Sequence, residues 1–156
     1  MVSIDIPGFG ALRIAHLVLD YNGTLALDGR PRPGVKTRLG RLARALRVHV
    51  VTADTFGKAR AGLRGLDCRL EILQGGGEDR AKAAYVRRLG PSRVACIGNG
   101  RNDRLMLRVA GLGIGVVQAE GASVETLAAA DLLAPSVTDA LDLFLRPRRL
   151  VASLRS

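Results

Sequence analysis

At 156 residues and 47% hydrophobic content, the chain can bury one substantial core but not two, and its longest apolar runs, Leu17-Val18-Leu19 and Val50-Val51 among them, fall far short of the roughly 20 residues that span a bilayer. Its net charge of +10 is almost all arginine, scattered from Arg13 to Arg155 as GC-rich coding would leave it, and only 3% of residues are aromatic, so nucleic acid is not the expected partner. The two cysteines, Cys68 and Cys96, lie in apolar runs, and the opening Met1-Val2-Ser3-Ile4-Asp5-Ile6-Pro7 lacks an apolar export segment; both features lead us to expect buried thiols and a cytoplasmic location.

Residues 1–156 read as a single domain. After a short opening segment, Ser3 to Ile6 and then Gly8-Phe9-Gly10, strand-like apolar runs alternate with amphipathic stretches of helical period. Expected strands are Ile14–Leu19, Val48–Thr52, Arg69–Leu73, Arg93–Ile97, Gly113–Val117 and Asp131–Leu133. Expected helices are Val35–Leu46, Thr55–Leu63, Asp79–Leu89, Arg101–Val109, Ala122–Leu127 and Val137–Leu145. Near-continuous apolar strands imply a sheet covered on both faces, and right-handed crossovers then give an α/β fold: a doubly wound, Rossmann-like, mostly parallel sheet. Pro31-Arg32-Pro33-Gly34 and Gly75-Gly76-Gly77 read as turns, and the basic tail from Arg146 to Ser156 as either a packed extension or a frayed end.

Ligands of open α/β sheets bind beyond the carboxyl ends of the strands, which makes the residue after each strand the one to inspect. The first strand runs into Asp20-Tyr21-Asn22-Gly23-Thr24, the second ends at Thr52-Ala53-Asp54, Lys82 stands near the start of the third helix, and the fourth strand ends at Gly98-Asn99-Gly100-Arg101-Asn102-Asp103. A carboxylate nucleophile, a hydroxyl, a lysine and an acid on a glycine-rich turn suffice to position a phosphoryl group and neutralise its charge.

In that order, D-x-N-G-T-L, a strand ending in Thr, Lys and G-N-G-x-N-D resemble the four motifs of the haloacid dehalogenase-like superfamily over most of the chain. The runs Leu17–Ala26, Val51–Gly57 and Gly98–Asp103 are similar to those of small soluble members related to the phosphorylation domain of P-type ATPases. The resemblance implies an Mg²⁺-dependent phosphohydrolase, or an ATPase-like phosphoryl acceptor, in which Asp20 forms an aspartyl-phosphate and Asn22, Thr52 and Lys82 complete the catalytic set. It implies phosphate contacts from Gly23, Thr24, Thr52, Ala53, Lys82 and Asn102. It implies metal ligation by Asp20, the backbone carbonyl of Asn22, Asn99 and Asp103. A small phosphorylated molecule or a nucleotide is the expected substrate, and a catalytically weak phosphate- and metal-binding module is the alternative.

Two departures qualify the resemblance. Asn22 stands where phosphatases of the superfamily carry a second aspartate, and asparagine cannot shuttle a proton, a function worth roughly 10²–10⁴-fold. Activated phosphates, whose leaving groups need no proton, are therefore expected over sugar phosphates. Asn99 replaces the first aspartate of the last motif, which lowers the negative charge around the metal.

The stretch from Thr24 to Thr52 holds a turn and one helix, and that from Thr52 to Lys82 a helix, a strand and the glycine turn, so neither has room for a cap domain. An open site would accept a partner subunit as its lid, in a homo-oligomer for instance, and Arg30, Arg32 and Arg101 are placed to line its mouth. His16 and His49 lack ligand spacing and read as core or sheet histidines, and Asp54 reads as the cap of a helix opening at Thr55.

Overall fold

A computed structural model describes residues 1–156. The chain opens with an antiparallel hairpin, β1 (Val2–Ile6) and β2 (Gly10–Ile14), in which Ile4, Ile6, Leu12 and Ile14 alternate with exposed neighbours and so share one buried face. The expected first strand is thereby split. Ile14 closes the hairpin, and β3 (His16–Leu19) enters the main sheet. A two-residue flap follows, β4 (Ala26–Leu27) paired with β5 (Arg30–Pro31). Then come α1 (Val35–Leu42), β6 (Arg47–Thr52), α2 (Ala59–Gly62), β7 (Arg69–Ile72) and α3 (Glu78–Leu89). The last part comprises β8 (Val94–Gly98), a 3₁₀ turn at Arg101–Asp103 leading into α4 (Arg104–Val109), β9 (Leu112–Val116), α5 (Val124–Ala129), β10 (Leu132–Ala134), α6 (Val137–Leu145) and α7 (Pro147–Leu154).

The main sheet has six strands in the order β10-β9-β8-β3-β6-β7, and every pairing is parallel. This is the doubly wound α/β sheet expected from the sequence. Alternation along the central strands sorts their side chains between two layers. Leu17, Leu19, Val48, Val50, Ala95 and Ile97 join α1, α6, α7 and the hairpin in the larger core, while Val18, Val51, Val94 and Cys96 pack against Tyr85, Val86, Met106 and Leu107 of α3 and α4. Each fully buried side chain of this kind contributes about 1.5–3 kcal/mol by leaving water. Across the first layer, Arg38 of α1 donates two hydrogen bonds to Asp142 of α6, at 2.8 and 3.1 Å, and this pairing holds the Asp142 carboxyl below its usual range.

Two helices differ from expectation for local reasons. The second shrinks to Ala59–Gly62 because Asp54, at φ 53°, turns the chain and its carboxylate accepts the amides of Lys58 and Ala59, both at 3.0 Å; Asp54 thus caps a helix, but one that opens at Ala59 rather than Thr55. The first ends at Leu42, where the Ala45 amide bonds the Leu42 carbonyl and tightens the chain into a turn. The basic tail is a packed helix with Leu150 fully buried, and the Ser156 amide closes onto the Pro7 carbonyl at 3.2 Å. Cys96 is buried in β8 and Cys68 half-buried ahead of β7, both as free thiols, and no helix is long and apolar enough to cross a membrane.

Two glycines separate chain entropy from packing. Gly40 lies inside α1 with open space around a would-be Cβ, whereas a Cβ on Gly113 would lie 2.6 Å from the Leu107 carbonyl oxygen. Urea denaturation should show Gly40→Ala stabilising the protein by about 0.5–1 kcal/mol. Gly113→Ala should destabilise it by about 1–3 kcal/mol, because the obstacle is backbone. Equal shifts for the two would contradict the packing of α4 on β9.

Candidate active site

Three neighbouring strands, β6, β3 and β8, deliver their carboxyl ends side by side, and the order in which successive strands join the sheet reverses at β3. That is the switch point where open α/β sheets bind ligands. Asp20 follows β3 and is anchored by its own amide, which donates to the Ile97 carbonyl of β8 at 3.1 Å. Gly23, at φ 80°, then turns the chain beneath Asn99 and Glu120, and a Cβ there would lie 2.6 Å from the Asn99 amide nitrogen, so both conformation and space require glycine. Gln118, which the sequence reading passed over, secures this loop. Its amide nitrogen donates to the Gly23 and Thr24 carbonyls at 2.9 and 2.7 Å, and its oxygen accepts the Val137 amide at 2.9 Å.

Lys82 reaches from α3 to the floor of the site and is fully buried. Its ammonium donates to Asp20 Oδ1 and to Asp103 Oδ1, each at 2.7 Å. The other Asp103 oxygen, Oδ2, accepts the amides of Asn99 and Gly100 at 3.0 and 2.9 Å. Both oxygens of Asp103 therefore have strong partners within the chain. Asp20 Oδ2 has a weak one, the Thr24 hydroxyl at 3.4 Å, whose single proton lies nearer Asn99 Oδ1 at 3.1 Å.

The charges in this cluster do not balance, since one buried ammonium serves two buried carboxylates. For Lys82, burial favours the neutral form, but Asp20 and Asp103 outweigh it and raise the pKa above the ordinary lysine value. For Asp20, burial and then the Asp103 charge outweigh Lys82 and raise the pKa from 3.8 to about 7. The cluster is one positive charge short. Above it, Asn22 Oδ1 is buried without a hydrogen-bond partner. A divalent cation with a preference for hard oxygens would answer both deficits, and the donor set fits Mg²⁺.

The floor opens into a cleft of about 340 Å³. Of the residues expected to act, Asp20, Asn22, Thr52, Ala53, Asn99 and Asn102 line it; Lys82 and Asp103 lie beneath, and Gly23 and Thr24 are buried in the loop that supports it. Thr55, Glu78 and Glu120 were missed. Glu78 accepts from Asn102 at 2.6 Å, and it stands one helical turn before Lys82 on the same face of α3, a spacing that makes it findable. Glu120 follows β9, another strand end. Arg101 lines the cleft, tied to Glu125 at 3.0 Å, but Arg30 and Arg32 do not. The flap folds them into a neighbouring groove, because the Tyr21 hydroxyl donates to the Gly29 carbonyl at 3.1 Å and draws its tip back. His16 and His49 hydrogen-bond each other at 3.0 Å, and His49 meets the Tyr85 hydroxyl at 2.9 Å, within the packed sheet and away from the cleft.

No protein-family model matches the chain. The uncharacterized protein MJ0073 of Methanocaldococcus jannaschii is 44% identical over 63 residues, 40% of this chain and 68% of that protein, and MJ0072 of the same organism is 44% identical over 39 residues, 25% of this chain and 89% of that protein. Among solved structures, 3-deoxy-D-manno-octulosonate 8-phosphate phosphatase from Moraxella catarrhalis, in complex with magnesium ion, phosphate ion and KDO, superposes with a TM-score of 0.65 at 18% identity, covering 92% of this chain and 94% of that one. The cobalt-bound Haemophilus influenzae phosphatase gives 0.67 at 16% identity over 92% and 94%. A Legionella pneumophila protein assigned to subfamily III A of the haloacid dehalogenase (HAD) superfamily gives 0.67 at 20% identity over 90% and 86%. The chain belongs to one family with MJ0073, and its fold is the cap-less haloacid dehalogenase-like one. What intervenes between β3 and β6 is the flap and α1, and between β6 and β8 only α2, β7 and α3, as the motif spacing implied.

The charge deficit has a measurable consequence. Because the folded Asp20 carboxyl titrates near about 7, above its ordinary 3.8, its contribution to stability is present at low pH and is lost as pH rises through that value. In EDTA, thermal melts should show the wild type losing stability relative to Asp20→Asn between about pH 5 and about pH 8. A difference in Tm that stays flat over this range would show that the Asp20 carboxyl is not raised in the folded protein.

Proposed function

We propose that the protein is an Mg²⁺-dependent phosphohydrolase that forms an aspartyl-phosphate on Asp20, acting on activated phosphates of small molecules. The observation that carries this reading is Asp20, a residue lining the cleft, whose Oδ2 has only a 3.4 Å side-chain partner while its other oxygen is held by Lys82. The magnesium and phosphate reported for the Moraxella phosphatase of the same fold support it. Asp20, Asn22 through its backbone carbonyl or its unpaired Oδ1, and the Asn99 side-chain oxygen would hold the metal, which supplies positive charge against the carboxylate and the phosphoryl oxygens. Asp103, with both oxygens engaged, would serve by fixing Lys82 and the Asn99 loop.

Each group then has a defined task. Asp20 Oδ2 attacks phosphorus, the bond from phosphorus to the leaving oxygen breaks, and the leaving group departs as an anion. Lys82 compensates charge from below, and the Thr52 hydroxyl, the Ala53 amide and Asn102 face the equatorial oxygens from the cleft wall. Water then displaces the Asp20 carboxylate from phosphorus and releases its proton to solvent. Asn22 accepts no proton in either step, so a leaving group that needs protonation departs slowly and the acyl phosphate persists. The two free thiols suit a reducing compartment, which supports a cytoplasmic location.

Two experiments test the reading. Beryllium trifluoride, a mimic of the aspartyl-phosphate, should bind only with Mg²⁺ present, and Asp20→Asn should abolish binding; a mutant that binds equally well would remove Asp20 from the nucleophile role. Acetyl phosphate and ATP should be turned over while alkyl phosphates are barely touched. Asn22→Asp should raise turnover roughly 10-fold or more, most for the alkyl phosphates. Unchanged rates would mean that proton transfer does not limit this site, and a wild type that binds phosphate and Mg²⁺ without turnover would favour a binding module.

A further inference from the structure

Beside the Asp20 cleft lies a larger groove of about 630 Å³, bounded by the β4–β5 flap on one side and Lys58 on the other. Arg30, Arg32 and Lys58 face it, with a single carboxylate, Asp28, and the apolar side chains of Leu27, Pro31 and Pro33. Arg13, Arg38, Arg101 and Arg104 all have carboxylate partners elsewhere on the molecule, but these three cations form no ion pair and no side-chain hydrogen bond. Unpaired guanidinium and ammonium groups gathered on one groove favour a phosphate, which arginine binds through paired N–H donors.

The groove and the cleft have no lining residue in common but are joined by one short chain segment. Thr55 lines the cleft and Lys58 the groove, and the three chain steps between them span at most about 10 Å. The flap is seated on this same segment, since a Cβ on Gly29 would lie 2.8 Å from Lys58 Cδ and 3.0 Å from Phe56 Cβ. Tyr21, the residue after the nucleophile, holds the flap there through the Gly29 carbonyl. The cleft rim carries Glu78 and Glu120, which repel a second anion, so the groove is where such a group can settle.

We propose that Arg30, Arg32 and Lys58 form a subsite for a second phosphate, and that the substrates are small molecules bearing two phosphoryl groups, one presented to Asp20 and the other held in the groove. The assignment rests on the phosphoryl-transfer reading of the Asp20 cleft and adds the substrate class to it. Such a subsite would do for an open, cap-less site what a covering domain does elsewhere, selecting the substrate by its far end.

Titration calorimetry with inorganic pyrophosphate in EDTA tests the subsite apart from the chemistry, using Arg30→Ala/Arg32→Ala/Lys58→Ala; Arg30 and Lys58 are exposed and Arg32 is half-buried, and a thermal melt checks folding. Pyrophosphate should bind the wild type and bind the triple variant at least about 10-fold more weakly. With Mg²⁺, the ratio of kcat/KM for ATP to that for acetyl phosphate should fall by about 10-fold or more in the triple variant, chiefly through KM. Undiminished pyrophosphate binding in the triple variant, or no binding to the wild type, would each overturn the subsite. Pyrophosphate binding that follows the three cations in a protein that never turns over acetyl phosphate would instead overturn the phosphoryl-transfer reading and leave the subsite standing.

Discussion

The Lys82 ammonium, buried and shared between Asp20 and Asp103 at 2.7 Å each, is the contact on which the site's geometry depends. A lysine leaves water only when its charge is met, and here the two partners come from different strands of the sheet, so α3, the end of β3 and the end of β8 must meet at one point. Removing Lys82 would leave two uncompensated buried carboxylates, which costs far more than a surface pair contributes. The same contact sets the electrostatics above it, because one positive charge cannot neutralise two carboxylates.

The surrounding structure reinforces this arrangement from several directions. Asp103 clamps the amides of Asn99 and Gly100, Asn99 reaches Thr24 and the Gly121 carbonyl, and Gln118 ties the Gly23–Thr24 loop to the start of α6. These are buried hydrogen bonds with defined partners, so the nucleophile loop is held in position without a ligand. Positioning and charge are most of what phosphoryl transfer asks of a protein. Asn22 is the exception, a polar oxygen in the same cage that nothing in the chain satisfies.

Much of the fold was legible because buried parallel strands leave continuous apolar runs and amphipathic helices a regular period. The strand ends at Asp20, Thr52 and Asn99 could be found for that reason, and the motif order pointed to one shared site. The opening hairpin was missed although Ile4, Ile6, Leu12 and Ile14 carry the alternation of a half-exposed strand, because the run from Ile14 to Leu19 reads as one strand when its turn from hairpin to sheet is invisible. The second helix was placed too early, since only the positive φ of Asp54 reveals that its carboxylate caps amides several residues on.

The sequence by itself determined the fold class, the cap-less spacing of the motifs and the set of residues that meet at the carboxyl ends of β3, β6 and β8, because each is encoded locally in apolar period, turn residues and strand termini. Tertiary structure alone decided which carboxylate oxygen is left open, that Asp103 is committed to Lys82 and two amides, that Glu78 and Glu120 border the cleft, and that Arg30 and Arg32 face a groove with Lys58 instead. Those outcomes depend on directions and distances between side chains far apart in the chain, and hydrogen-bond and Coulomb energies are settled by that geometry rather than by residue type.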